Sequence, residues 1–251
     1  MIKFFRKIRH KLLSENKFSK YLIYAIGEIV LVVIGILIAF GINSWWSEVQ
    51  RREMEVVMLH GFQKDFLVNA DLLDNIKEQH RKALVASDVL AELVGPRVEL
   101  TVTHDSISSL LQSLRNNWSF DPVTGTLKSL LNSGDISLIQ NWELRTSLVS
   151  WLDNVEDLNE DEMIQRNEIQ QRLTPFLVEH IPLRQIIRAN QQDVHIDSFS
   201  TDYVYLLRDR TFQNLIEVRR SFAINILGEL DVVERECDKI LRLTKENLKK
   251  Y

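Results

Sequence analysis

The sequence predicts an all-α protein, with one transmembrane helix followed by an extramembrane antiparallel helical bundle. Three observations carry that expectation. An apolar run with the single acid Glu28 fills residues 21–43, and apolar residues elsewhere recur at three- and four-residue steps. Helix breakers are scarce, with 8 Gly and 4 Pro in 251 residues, and they fall where helices would end. Hydrophobic residues make up 45% and charged ones 26%, which suits a packed core and argues against wholesale disorder.

Residues 1–20 form a basic segment. Lys3, Arg6, Lys7, Arg9, Lys11, Lys17 and Lys20 face only Glu15, a net of +6. The whole chain carries −4, so the remainder sums to −10. A mildly acidic body would repel phosphate, so no nucleic-acid partner is expected. The basic block suits anionic lipid instead. Ile2, Phe4, Phe5, Ile8, Leu12 and Leu13 are mixed among its cations, the pattern of a short interfacial helix lying on headgroups. The alternative is an unstructured basic stop.

The transmembrane helix is placed at residues 21–43, YLIYAIGEIVLVVIGILIAFGIN, in which Glu28 is the one ionisable side chain apart from the flanking tyrosines. At ~1.5 Å per residue the run covers roughly 34 Å, enough for a hydrocarbon core of about 30 Å. Tyr21 and Tyr24 at one end and Trp45 and Trp46 at the other are interface anchors. The run is too long for a cleaved signal sequence, and GINSWWSE is a poor cleavage site. Seven cations precede the span, while residues 44–63 hold only Arg51 and Arg52. Positive-inside bias therefore puts the N-terminus in the cytoplasm and residues 44–251 outside.

Within the span, Gly27, Glu28, Gly35 and Ala39 lie close to one face, since Gly35 and Ala39 follow Glu28 by about two and three whole turns and Gly27 adjoins it. Gly35 and Ala39 make a small-xxx-small pair that permits close helix approach. An intramembrane carboxyl is costly unless neutralised, hydrated or paired. These residues are the expected oligomerisation face of a homo-oligomer, with Glu28 as hydrogen-bonding group or proton site. The competing reading has Glu28 at hydrated headgroups near Lys20 and the glycines incidental.

Beyond the interface, Leu59, Phe62, Phe66, Ala70, Leu73, Ile76, Ala83, Leu90 and Val94 share a helical stripe that Gly95-Pro96 ends. Only Gly61 interrupts the composition between Asn43 and Val94, so the spanning helix is free to continue outward. A second helix fits Asp105–Arg115, with Thr103 as N-cap. Pro122 is expected to open a helix through Leu131, stopped by Gly134. Asn141 caps another that runs towards Leu173, and Pro175 and Pro182 bracket a break. Gln191–Tyr205 reads as a loop. The final helix, about 211–248, carries Phe222, Ile226, Leu230, Val233, Cys237, Ile240, Thr244 and Leu248 on one stripe.

Candidate chemistry is sparse. Asp157, Asn159, Asp161, Ile164 and Glu168 follow a calcium-loop spacing, but Glu162 occupies the position that needs glycine, so a solvated acidic helix is the better reading. His10, His60, His80, His104, His180 and His195 show no metal-ligand spacing, and Cys237 is the lone cysteine. Ser133-Gly134-Asp135 lacks the frame of a nucleophile elbow, and no phosphate-binding glycine motif occurs. We therefore expect no enzyme activity, no cofactor and no metal.

Two stretches together resemble a known family. KFFRKIRHKLLSENKFSKYLIYAIGEIVLVVIGILIAFGIN and TLKSLLNSGDISLIQNWELRTSL, about a quarter of the chain, are similar to the two signatures of an uncharacterised single-pass inner-membrane family of Bacteroidota. The basic block, the Gly-Glu of the span and the SGD–LI–LR junction occur in the family's order. Thr124-Gly125 stand where the resemblance leads one to expect an aromatic, which points to a local packing difference. The resemblance implies a periplasmic outer domain and leaves function open. The expectation is a membrane-anchored interaction or scaffold protein that binds membrane lipid, itself and a protein partner of unknown identity. Alternatives are a sensor or signal-relay subunit reading a periplasmic ligand, and a proton-coupled stator-like subunit using Glu28.

Overall fold

A computed structural model describes residues 18–187, 199 and 201–251. It is predominantly helical, with no strand among the described residues. The basic segment 1–17 and the greater part of the expected 191–205 loop lie outside the described residues. The chain divides into two compact units, Met1–Glu55 and Val56–Tyr251.

Helix α1 (Phe18–Leu93) supplies the described part of the first unit and the opening element of the second. It contains no proline, and no glycine in it adopts a positive φ. Its apolar stretch in the first unit reaches a mean hydropathy of 2.7 over 18 residues, none of them buried, so this one helix is long and apolar enough to cross a membrane.

In the second unit the predicted stripe turns inward. Leu59, Phe62, Phe66, Leu73, Ala83 and Leu90 are buried, and Ala70, Ile76 and Val94 are partly so. The helix ends before Gly95, whose N–H donates to the Leu207 carbonyl at 3.0 Å. Helix α2 (His104–Arg115) starts where its cap predicts, Thr103 Oγ1 accepting from the Ser106 N–H at 3.2 Å.

Helix α3 (Gly125–Ser133) starts three residues later than the proline suggested. The reason is Asn69 of α1. Its side-chain amide accepts from the Val123 N–H at 2.7 Å and donates to the Val123 carbonyl at 2.9 Å, taking both backbone groups the way a neighbouring strand would. Pro122 and Val123 thus stay outside the helix. Gly134 ends α3 in the left-handed region at φ 76°, which costs glycine little. A 3₁₀ turn (Asp135–Leu138) follows. Asn141 then caps α4 (Trp142–Glu168), its Oδ1 accepting from the N–H groups of Glu143 and Leu144.

Pro175 does not break the chain here. A π-helical turn over Ile169–Leu173 leads directly into α5 (Thr174–His180), with Pro175 in its first turn. The wider turn shifts the hydrogen-bond register just ahead of the residue that lacks an N–H. Pro182 does mark an end, since Ile181 before it is extended at φ −140°, ψ 140°. Short helices α6 (Leu183–Ile187) and α7 (Tyr203–Leu207) precede α8 (Arg210–Leu248). The expected loop therefore ends earlier than Tyr205, because Asp202 caps α7 by accepting from the Tyr205 N–H. Asp209 caps α8 in the same way.

Contacts along the long helices run in opposite senses. On α4 and α8, Glu143 meets Lys239 and Gln165 meets Arg219. On α1 and α8, Cys237 donates to the Phe66 carbonyl, Lys77 pairs with Asp231 and Glu234, and Asp88 pairs with Arg220. Two apolar clusters result. One gathers around Trp151, whose ring lies 4.7 Å from Phe66 and 6.5 Å, edge-on, from Phe120. The other includes Leu90, Leu111, Leu173, Tyr203 and Phe212. Polar side chains lie between them.

Candidate functional site

Of the residues singled out in the span, Gly27, Gly35, Ala39, Trp45 and Trp46 are all exposed. A Cβ added at Gly27 or Gly35 would meet nothing within 4 Å. Glu28 is half-buried. The Trp45 and Trp46 rings are 6.5 Å apart and tilted by 57°. Tyr21 and Tyr24 lie in α1, their side chains outside the described set.

The second unit holds a polar layer that sequence reasoning missed. Residues 116–124 connect α2 and α3 without forming a helix, and Phe120 packs into the Trp151 cluster. Side chains from three helices grip this strap. From α8, the buried Arg219 donates through Nε to the Leu114 carbonyl, through Nη2 to the Asn116 carbonyl and through Nη1 to Gln165. From α4, Gln165 donates to Asn117 Oδ1 at 3.1 Å and Arg166 to Ser119 Oγ at 3.2 Å. Both carboxyl oxygens of Glu162 lie 3.1 Å from the Phe120 N–H that they accept. From α1 come Asn69 at Val123 and Asp65 at the Thr126 N–H.

Burial sets the electrostatics of this layer. Glu162 is 1% exposed, and desolvation, helped by Asp121 and Glu229, pushes its carboxyl up to about 7 against the opposing Phe120 N–H and Arg166. Glu229 of α8 is also pushed up to about 7, first by burial and then by Asp161 and Asp157. His80 of α1 is 1% exposed, and neither ring nitrogen makes a hydrogen bond of good geometry, though the Trp118 backbone lies close. Burial, with the nearby Arg219 charge, lowers it to about 4, so the ring is neutral near pH 7. Burial also lowers Arg219 to about 10, leaving it charged. Burial thus favours the protonated form of both carboxyls in this layer.

Residues 157–168, with the calcium-loop spacing, all lie within α4, strung along a helix rather than wrapped into a loop. Among the described residues no group of His, Cys, Asp and Glu is placed to hold a metal ion. Ser133, Gly134 and Asp135 form the junction between α3 and the 3₁₀ turn.

Residues 28–173, more than half of the chain, match the model of a family of unknown function, DUF6090. The chain belongs to this family. No curated protein and no solved structure matches the sequence. The DUF6090 match begins at Glu28 and takes in Gly35, Ala39, the strap and the carboxyl-bearing face of α4, while α8 with Arg219 and Glu229 lies beyond it.

A sequence signal for the layer existed. His80 falls four residues after Ile76 and three before Ala83, on the apolar step itself, and Arg219 falls four after Leu215. A polar residue on such a step is buried, and burial then demands partners.

Proposed function

We propose that this DUF6090 chain is a non-enzymatic, membrane-anchored interaction protein of a Bacteroidota inner membrane. Its N-terminus lies in the cytoplasm, and its periplasmic domain, an antiparallel helical bundle, binds a protein partner. The observation that carries this reading is the apolar stretch of α1, of which no residue in the 18-residue window is covered by its own chain. So much apolar surface in water would be an aggregation site, whereas lipid covers it at no cost. The seven-to-two asymmetry of flanking cations supports the orientation. The opposed contact registers of α1, α4 and α8 support the bundle.

Self-association is the second part of the proposal. The open Gly35 and Ala39 surface permits close approach of a second copy, with Gly27 and Glu28 on or beside the same face. The test is alkaline carbonate extraction and crosslinking in native membranes. The full chain should stay in the pellet and give a ladder that Gly35→Leu reduces severalfold. Recovery in the supernatant contradicts the anchor, and an unchanged ladder in the variant contradicts the oligomer face.

A relay role is favoured by one specific observation, the buried polar layer of Glu162, Gln165 and Arg219 that ties α4 and α8 to residues 116–124. That role would pass the signal to a partner. Affinity purification in mild detergent distinguishes the readings. A membrane-embedded or cytoplasmic partner supports relay, and a purely periplasmic one supports scaffolding.

A further inference from the structure

One end of the helical unit is the end that the chain enters from the apolar stretch. Cys237 of α8 meets Phe66 of α1, Glu234 meets Lys77, and Arg220 meets Asp88, so α8 returns along α1. Its residues beyond Cys237 therefore finish beside the start of the unit at Val56. Trp151 of α4 packs on Phe66, and α4 runs the same way as α1, so Trp142 opens α4 at that end too. Ten residues separate Trp46 from Val56, a tether of at most about 36 Å.

Two kinds of side chain stand exposed there. Trp142 is 69% exposed and Tyr251 54%, both rings with a polar handle. Lys245, Lys249 and Lys250 are exposed, and none has an ion pair among the described residues; Lys250 donates to the Asn247 side chain. Neighbouring acids are engaged, Glu246 with Arg242 and Glu143 with Lys239. Asp135, in the 3₁₀ turn ahead of α4, is exposed and offsets one of the three lysines. A helix C-terminus favours nearby lysines, but it gives no reason to leave an indole in water.

We propose that this end docks on the lipid headgroups of the membrane that α1 crosses, with Trp142 at headgroup level and Lys245, Lys249 and Lys250 on lipid phosphates. The inference rests on the reading of α1 as a membrane span. The headgroup zone suits a ring that is apolar on its faces and polar at its tip, and lysines with long apolar stems. Anionic lipid attracts unpaired cations that come within a Debye length, roughly 8–10 Å. The tether supplies headgroups at high effective concentration, so no separate partner has to be captured.

The experiment is tryptophan quenching by lipids brominated at the shallow end of their acyl chains. Full-length protein is reconstituted in phosphatidylcholine vesicles containing about a third phosphatidylglycerol. The difference between the parent and Trp142→Phe isolates the Trp142 emission, while Trp45 and Trp46 report the anchor in both. Trp142 should lose about half of its emission in these vesicles. That loss should shrink severalfold in phosphatidylcholine alone, a comparison that needs no variant. Lys245→Glu, Lys249→Glu and Lys250→Glu together should shrink it as far. Unquenched Trp142 beside quenched Trp45 and Trp46 overturns the docking and leaves this end to a protein partner. Quenching that ignores both lipid charge and the lysines contradicts their role. If none of the three rings is quenched, the span reading fails and the docking fails with it.

Discussion

Asn69 illustrates how a single side chain decides local structure. It is fully buried, and its amide satisfies both backbone groups of Val123. Asn69→Ala would leave an N–H and a carbonyl seeking water at a partly covered position, at a cost of about 2 kcal/mol. Chemical denaturation should show that loss with little change in helical content, since the strap is not helical. Lys77 is a second case. Burial alone would push its ammonium down, but hydrogen bonds and charge from Asp231 and Glu234 hold it above the ordinary lysine range. Lys77→Met should cost less than Lys77→Ala, because the stem still fills its place along α8 while the two carboxylates are left to solvent.

At the scale of elements, α1 and α3 approach closely at Gly61. A Cβ built there would lie 2.8 Å from Thr126 Cγ2 and 2.9 Å from its Oγ1. Gly61→Ala should lower stability by about 1–3 kcal/mol despite alanine's better helix propensity. Adding Thr126→Ala should recover most of that loss, giving a coupling of about 1–2 kcal/mol in a double-mutant cycle. Additive effects would refute the close approach. The same elements show what was legible in the sequence. Thr103, Asn141 and Gly134 act through one or two neighbouring residues, so their caps could be read locally. The start of α3 could not, because it depends on Asn69, which is 54 residues away in the chain. Pro175 misled because the π turn that accommodates it has no sequence signature of its own. The apolar stripes of α1 and α8 were legible from their step. The polar layer was legible only as isolated signals at His80 and Arg219, since His80, Glu162, Gln165 and Arg219 become one site only once three helices have packed.

For the whole molecule, the buried layer makes stability depend on pH. Glu162 and Glu229 are raised to about 7, so what they contribute is fully present below about 4.5 and is lost as pH rises through 7. His80 is lowered to about 4, so its contribution is present above about 6.5 and is lost as pH falls towards 4. Between these limits the two carboxyls outweigh the imidazole. The Tm should therefore drop by a few degrees, roughly 3 °C, from pH 5.5 to 8. The drop should be smaller in Glu162→Gln, and calorimetry of the solubilised chain checks both. The wider account rests on α1 as a membrane span with the helical domain on the far side. Paired reporters fused after Tyr251 test that most directly. The account predicts active alkaline phosphatase and a dark cytoplasm-dependent fluorophore at that position. Inactive phosphatase with a bright fluorophore would contradict it.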